Sequence, residues 1–366
     1  MKYSVDNIIA TFKELVKIES ITGNEKQMSH FLSEKLTQLG SCIETYPVKS
    51  YLSNGYNIIS RIQGTVDDMP PLFFATHLDT VEHDQAIRVE VGDEYITSTS
   101  QTILAADPKM TIAIFLEMIT LLKEGKIDHG PIEFVFTVCE EQGGLGASSL
   151  KQIKANHGYV VDHTGQVGTI VQNAYTSSVL RFILKSMTDE RITKQMTQLL
   201  KHLRRHIIDK SVQIQFEHVE TNFVEGKQEI DCTIRLFGHN YVRIEDYYED
   251  LFYYIDDFAQ RNHLDCEYLF GPSTFGYEID EADPLIQLFK ASVEKIDVTP
   301  RLIDTVHLTD ANIFHGIHKK HVTSIGVGFE HIHTIDERIL ISEVDKLTQV
   351  LINIVQLNKE GSYFSS

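Results

Sequence analysis

Short apolar runs alternate along the chain with longer segments in which apolar residues recur at helical spacing. The runs of strand length cover residues 72–76, 132–139, 158–161 and 322–328. Residues 5–39 have the pattern of two amphipathic helices, the second opening with a capping-box spacing at residues 22–25, and residues 110–122 predict a helix with a broad apolar face. This alternation favours an α/β fold in which a mostly parallel sheet is flanked by helices.

The middle of the chain has a different order of elements. Strand-like segments cover residues 178–185, 212–218, 229–237 and 266–270, and helical segments cover residues 189–208 and 243–262. The order β-α-β-β-α-β is that of a ferredoxin-like α+β module. Because the α/β pattern resumes with a helix over 284–296, we expect residues 176–278 to be a domain inserted into one made of residues 1–175 and 279–366.

Composition and charge indicate which classes of binding partner are unfavourable for this chain. The chain has 366 residues, enough for two domains, and a formal net charge of −19. Such an acidic surface repels phosphate backbones and anionic lipid, so we expect neither nucleic acid nor a membrane as partner. The start of the chain lacks the apolar core of a signal peptide, and the four cysteines show no paired spacing. These features predict a cytoplasmic protein with reduced thiols.

The candidate catalytic and metal-binding residues lie where the predicted strands of the α/β part end. Histidines and carboxylates follow four of the strand-like runs: His77 and Asp79, Glu140 and Glu141, Asp162, and His331 with His333. In open α/β sheets, ligands bind in the crevice beyond the carboxyl ends of the strands. If these strands are neighbours in one sheet, their polar side chains converge on one site.

The spacing of these residues suggests distinct roles. His77 and Asp79 are two apart, so on an extended chain they share a face, which suits a metal-binding imidazole oriented by a carboxylate. Glu140 and Glu141 are adjacent and on a strand point in opposite directions, so one can bind metal while the other acts as a base. Asp107 precedes a helix and is placed to bridge two ions, and the Asp107–Pro108 bond is a candidate for the cis isomer.

Nitrogen and oxygen ligands of this kind suit zinc, with cobalt and manganese as alternatives. Two such ions about 3.5–4 Å apart share a water molecule and stabilise a developing tetrahedral intermediate. A carboxylate that binds no metal, here Glu140, would take the proton of that water and pass it to the leaving nitrogen. The sequence therefore predicts a two-metal hydrolase.

Five segments, in this order, carry a resemblance to a known family that covers nearly the whole chain. They are Phe74–Val81, Leu104–Lys109, Phe136–Gly143 with Gly146 and Ala147, Asp310–Phe314, and His333–Glu337. The chain resembles the co-catalytic dizinc peptidases and amidohydrolases, a family that includes peptidase T, acetylornithine deacetylase and succinyl-diaminopimelate desuccinylase, and is most similar to its peptidase T-like members. The resemblance implies a tripeptidase-like aminopeptidase that acts on small peptides.

The resemblance also assigns roles to residues. It implies that His77, Asp107 and Asp162 hold one zinc ion and that Asp107, Glu141 and His333 hold the other. Glu140 is the implied general base, and Asp79 orients His77. The implied substrate-binding residues are Asn222, Arg235 and Asn312. The inserted domain is implied to act as a lid through which two copies of the chain form a homodimer.

The chain departs from the family pattern in its predicted lid. The family usually carries a histidine after the first lid strand that is thought to polarise the scissile carbonyl, whereas residues 184–190 here contain none. Losing an oxyanion donor of this type typically costs about 100- to 1000-fold in rate. The alternatives are therefore an N-acyl amino acid deacylase or carboxypeptidase of the same family, or a catalytically impaired relative that binds peptides.

Overall fold

The computed structural model describes residues 3–66, 69–186, 192–206, 212–224, 227–239, 241–271, 274–358 and 363–364. The helices are α1 (Val5–Val16), α2 (Lys26–Gln38), α3 (Ala106–Lys123), α4 (Leu145–Ser149), α5 (Thr193–His206), α6 (Tyr241–Arg261), α7 (Pro284–Glu294), α8 (Asp310–Gly316) and α9 (Ile341–Leu357). The strands are β1 (Cys42–Pro47), β2 (Tyr56–Ile62), β3 (Leu72–His77), β4 (Val89–Val91), β5 (Tyr95–Ser98), β6 (Ile132–Thr137), β7 (His157–His163), β8 (Thr169–Ala174), β9 (Thr176–Ser186), β10 (Val212–Val224), β11 (Lys227–Gly238), β12 (Leu264–Phe270), β13 (Tyr277–Glu278), β14 (Arg301–Thr305), β15 (His321–Gly326), β16 (Phe329–Glu330) and β17 (Arg338–Leu340).

The chain forms two compact units, one of residues 1–172 with 279–366 and one of residues 173–278. The first unit contains a sheet in which β1, β2, β6, β3, β7, β15 and β8 follow one another. Its centre is parallel, since β3 pairs in parallel with β6 and β7, and β15 pairs in parallel with β7. The predicted α/β class with a mostly parallel sheet is thus confirmed.

The core of the first unit explains why its strands read as continuous apolar runs. Every residue of β3 and of β6 is buried. A parallel sheet covered by helices on both faces leaves no solvent side, so its strands lose the alternation of polar and apolar residues. Helix α3 carries apolar residues around most of its circumference for the same reason, because it is buried along nearly its whole length.

The second unit has the predicted β-α-β-β-α-β order, from β9 through α5, β10, β11 and α6 to β12. Its antiparallel sheet runs β10, β11, β9, β12. On β9, Leu180, Phe182 and Leu184 are buried in the core of this unit while Arg181 is exposed, the period-two pattern of a sheet covered on one face. Helix α6 contributes buried residues such as Ile244 and Ile255 to the same core.

Two predicted details were wrong, and the ends of a third predicted element lie outside the described residues. The capping box at residues 22–25 does not form, because α2 begins at Lys26 and its N-cap, Glu25, makes no side-chain capping bond. The strand predicted over 212–218 continues to Val224, because it pairs with β11 along its whole length. The helix predicted over 189–208 is described only from Thr193 to His206, and residues 187–191 and 207–211 lie outside the described residues.

Among the described residues, no helix has both the length and the apolar character needed to cross a membrane.

Candidate metal centre

The residues predicted from the strand ends come from adjacent strands of one sheet. The order β6, β3, β7, β15 places four parallel strands side by side. His77 is the last residue of β3, Asp162 lies near the end of β7, and Glu140 and Glu141 follow β6. His333 comes after β15. Because the strands are parallel, their carboxyl ends share one edge of the sheet, and these side chains meet there.

The side chains form two groups that share Asp107. His77 Nε2 lies 2.8 Å from Asp107 Oδ1 and 3.2 Å from Asp162 Oδ1. His333 Nε2 lies 3.3 Å from Asp107 Oδ2 and 2.8 Å from Glu141 Oε1. Within each group the possible ligand atoms all lie within 4.8 Å of one another. One carboxylate therefore stands between two sets of nitrogen and oxygen donors.

The backbone around Asp107 presents its carboxylate to both groups. Asp107 has φ −81° and ψ 109°, outside the helical region, although it belongs to the first turn of α3. The preceding Ala105 is left-handed with φ 56°, and the Asp107–Pro108 peptide bond is cis, as the sequence suggested. The buried Glu337 carboxylate accepts hydrogen bonds from the N–H groups of residues 104–107, at 2.8, 3.0, 2.8 and 3.3 Å in chain order.

Glu140 and Glu141 do not lie on a strand, so the strand conformation that the sequence predicted for them was wrong. Strand β6 ends at Thr137, and Cys139 has φ 54°, which turns the chain away from the sheet. Both glutamates come close enough to His77 to form a third group of possible ligand atoms. Glu140 is buried, however, whereas Glu141 is partly exposed.

Two buried carboxylates hold this turn by its backbone. Asp79 accepts hydrogen bonds from the N–H groups of Glu140 and Glu141, at 3.0 and 3.2 Å. Glu25 Oε1 accepts one from the N–H of Cys139 at 3.0 Å. Asp79 Oδ1 also lies 3.4 Å from His77 Nδ1, on the side of the ring away from Asp107. Asp79 therefore contacts both the imidazole and the Glu140 segment.

Burial and mutual repulsion perturb the acidic groups of the site. Burial raises the pKa of Asp162 to about 7, and it raises the pKa of Glu140 well above its ordinary value, with the charge of Asp162 adding to the effect. Burial alone would raise the pKa of Asp107, but hydrogen bonds from His333 and His77 hold it below its usual range. Hydrogen bonds to Asp107 and Glu141 raise the pKa of His333 to about 10.

This donor set fits divalent cations. In the described part of the chain, only imidazoles form ion pairs with Asp107, Asp162 and Glu141, with no lysine or arginine to balance the carboxylates. Among the same residues, no donor reaches the buried Oε1 atom of Glu140. Four carboxylates, those of Asp107, Glu140, Glu141 and Asp162, thus face two imidazoles, and an excess of buried negative charge is costly unless a metal cation offsets it. Imidazole and carboxylate together are the ligands of zinc and related transition metals.

The predicted substrate-binding residues have other contacts, and their role stays a prediction. Asn312 is buried and its side chain accepts a hydrogen bond from the N–H of Thr309 at 3.2 Å, which completes a capping box at the start of α8. In the second unit, Asn222 is exposed on β10. Arg235 on β11 pairs with Glu217 of β10.

Three buried carboxylates behind the site were missed as parts of it. The spacing of Glu25 from Thr22 predicts a capping residue instead, and Glu337 lies in a segment that resembles the family but has no assigned role. Asp310, whose pKa burial raises to about 6, accepts a hydrogen bond from Thr137 at the end of β6. Their positions in matching or capping segments were the available signal. Their partners lie far away in sequence, so no spacing indicates these contacts.

Comparisons with known proteins agree with this geometry. The sequence pattern of peptidase family M20/M25/M40 matches residues 73–357. The fold is similar to that of aminopeptidase PepT from Bacillus cereus, with a TM-score of 0.82, 26% identity and coverage of 98% of this chain and 99% of the other. A tripeptidase from Staphylococcus aureus gives a TM-score of 0.87 at 25% identity, with the same coverage of 98% and 99%.

A full-length relative is the uncharacterized protein YqjE of Bacillus subtilis, which is 27% identical over 370 residues, 95% of this chain and 97% of the relative. The resemblance noted from the five sequence segments is thus confirmed at the level of the family. A match over most of the chain, a shared fold and a cluster of metal-type donors lead to one conclusion. The chain belongs to peptidase family M20/M25/M40 and is a peptide-cleaving metallohydrolase of the peptidase T-like kind.

Proposed function

We propose that the chain is a tripeptidase-like aminopeptidase that uses two divalent ions, zinc by preference, at the edge of the parallel sheet. The observation that carries the proposal is the position of the Asp107 carboxylate, which faces His77 and Asp162 on one side and Glu141 and His333 on the other. These are the five proposed metal ligands. The catalytic chemistry is proposed for residues 1–175 and 279–366, and the lid for residues 176–278.

When bound, the two ions would polarise the scissile carbonyl and lower the pKa of the attacking water. Glu140 binds no metal in this proposal and receives the proton of that water at Oε1. The surrounding carboxylates suit this task, because burial and the charge of Asp162 raise the pKa of Glu140 and make it a stronger base than an exposed glutamate. Glu140 then delivers the proton to the leaving nitrogen.

Asp79 is proposed as a positioning residue. Its oxygens hold the backbone N–H groups of Glu140 and Glu141, and Oδ1 faces His77. One carboxylate thus positions the proposed base, Glu140, and two proposed ligands, Glu141 and His77. Asn222, Arg235 and Asn312 are proposed to contact the substrate.

The experiment that tests the proposed activity compares dipeptides and tripeptides that have a free amino group with the same peptides blocked by an acyl group. We expect the zinc-loaded chain to hydrolyse the free peptides, to fail on the blocked ones and to lose activity after treatment with a chelator. Turnover confined to acylated amino acids would instead support the deacylase alternative. Release of the carboxyl-terminal residue from blocked peptides would support the carboxypeptidase alternative.

The missing lid histidine motivates the alternative of an impaired, peptide-binding relative. The last residues of the segment concerned, 187–190, lie outside the described residues. The buried Glu140 with its raised pKa favours retained catalysis, because peptide binding alone does not require a base at this position. Saturable peptide binding by the zinc-loaded chain, without turnover over a day, would favour the impaired relative.

We also propose that the second unit forms a homodimer and that the protein works in the cytoplasm. Two exposed aromatic side chains of the second unit, Tyr253 and Phe270, both contact the ring of Phe252, with ring centroids 5.4 and 5.6 Å apart. Exposed apolar residues in proximity mark association surfaces more often than scattered ones do. Light scattering should give the mass of a dimer for the wild-type chain and that of a monomer for Phe270→Glu. A monomeric wild type would refute this part of the proposal.

A further inference from the structure

Glu337 binds the segment that carries Asp107 through four consecutive backbone groups. Its side chain is 3% exposed, and Oε2 accepts hydrogen bonds from the N–H groups of Leu104 and Ala105. Oε1 accepts those of Ala106 and Asp107. The first N–H groups of a helix have no partner within the helix, so a carboxylate placed there is stabilised by several bonds at once. Helix α3 begins at Ala106, within this set of donors.

Glu337 follows His333 by four residues, and two consecutive turns make up this segment, residues 331–337. The first turn is held by a hydrogen bond from the Thr334 hydroxyl to the His331 carbonyl at 2.7 Å. The second is closed by one from the Glu337 N–H to the Thr334 carbonyl at 3.2 Å. The side chain of His333 is 39% exposed, so burial against neighbours does not by itself fix its position. Within this segment, the Glu337 carboxylate is the group that is buried and hydrogen-bonded to the rest of the fold.

The two contacts join segments that are far apart in sequence but adjacent at the site. Glu337 holds the backbone of Asp107, and His333 faces the Asp107 carboxylate at 3.3 Å. One carboxylate therefore sets the distance between two side chains that are proposed to hold the same ion. Groups that orient metal ligands typically change metal affinity by about 10–100-fold when they are removed.

We propose that Glu337 is a positioning residue, which touches neither metal nor substrate and sets the geometry of the ion held by Asp107, Glu141 and His333. This inference rests on the proposed two-metal function. It predicts that the loss of Glu337 weakens this ion more than the ion at His77 and Asp162, because only the former depends on the distance between Asp107 and His333.

The test titrates the metal-free full-length chain with zinc by calorimetry and counts bound zinc after dialysis. His333→Ala identifies which binding step belongs to the ion in question. In Glu337→Gln we expect that step to weaken about 10–100-fold while the other step changes less. Glu337→Asp keeps the charge but retracts it by one methylene, so we expect a smaller loss of the same step. If Glu337→Gln does not fold, the aspartate variant decides the result.

Glu343→Gln is the matched control. Glu343 is also a buried glutamate. Within the described residues its carboxylate accepts hydrogen bonds from the N–H of Val167 at 3.0 Å and from Lys346 at 2.7 Å, and from no group of the site. We expect this variant to lower the unfolding midpoint and leave both zinc steps unchanged.

The outcomes distinguish a failure of the proposed function from a failure of the proposed role of Glu337. A wild-type chain that binds fewer than two zinc ions refutes the proposed function and the role of Glu337 with it. A wild type with two zinc steps, of which both are unchanged or equally weakened in the Glu337 variants, refutes the role of Glu337 alone.

Discussion

Replacing Glu140 by glutamine tests the proposed base with little change to its surroundings. Glu140 is 7% exposed, and in the described part of the chain no donor reaches its Oε1 atom. A glutamine of equal length keeps the packing and the backbone N–H bond to Asp79 at 3.0 Å. Glu140 also lies outside the two groups that share Asp107. The substitution therefore removes a proton acceptor and leaves the proposed ligands in place.

The expected loss of activity follows from the proposed role of Glu140 as the general base. General base catalysis contributes about 10²- to 10⁴-fold, which is about 2.7–5.4 kcal/mol at about 1.36 kcal/mol per factor of ten. We expect kcat of Glu140→Gln to fall by that factor, with KM and zinc content unchanged. Burial and the charge of Asp162 raise the pKa of Glu140, so its ionised form is disfavoured in the fold. The neutral amide should therefore not lower the unfolding midpoint of the metal-free chain.

The assay measures initial rates on the best free-amino peptide, with zinc content and thermal midpoint determined on the same sample. Glu133→Gln is a suitable control. Glu133 is a buried carboxylate on β6, the strand that precedes the Glu140 turn, but it pairs with Arg61 at 2.6 Å and accepts the N–H groups of Lys154 and Ala155. We expect this control to lose stability and keep kcat. A Glu140→Gln enzyme with wild-type kcat and full zinc content would refute the assignment of the base.

The remaining predictions concern positioning, packing and pH. Asp79→Asn replaces an oxygen that accepts a backbone N–H, and we expect zinc affinity, measured by calorimetry, to fall about 10–100-fold. Unchanged affinity would contradict the positioning role of Asp79. A Cβ on Gly146 would lie 1.9 Å from the carbonyl oxygen of Val138. We therefore expect Gly146→Ala to lower the free energy of unfolding, measured by denaturant titration, by about 1–3 kcal/mol or more. Gly92→Ala is the control and should lower it less, because the added Cβ would lie 3.4 Å from its nearest atom. Burial and a neighbouring histidine lower the pKa of His157, so the unfolded chain binds its proton first and stability falls as the pH drops below about 6.5. The thermal midpoint of His157→Gln should therefore depend less on pH between about 7 and about 5, and an unchanged slope would contradict this reasoning.

The fold and the position of the site could be predicted because they depend on local patterns. Buried parallel strands are continuous apolar runs, and a polar residue directly after such a run must lie at the carboxyl edge of the sheet. His77 and Asp162 were found in this way. Whether the strands are neighbours depends on their order in the sheet, which local patterns do not determine. The resemblance to a family supplied that information.

The details that failed depend on contacts between distant segments. Thr22 and Glu25 have the spacing of a capping box, but the Thr22 hydroxyl donates to Asp79 at 2.9 Å and Glu25 accepts the N–H of Cys139. Each side chain can bond locally or across the fold, and its spacing along the chain does not show which bond forms. A strand conformation for Glu140 was likewise assumed from its neighbours, whereas the left-handed Cys139 ends the extended chain.

A crystal structure of the chain grown with zinc, with the ions located by anomalous scattering, tests the central claim most directly. The account predicts two zinc peaks about 3.5–4 Å apart on either side of the Asp107 carboxylate. One peak should be bound by His77 and Asp162, and the other by Glu141 and His333. A single peak, or peaks bound by other residues while these five side chains bind none, would contradict the account.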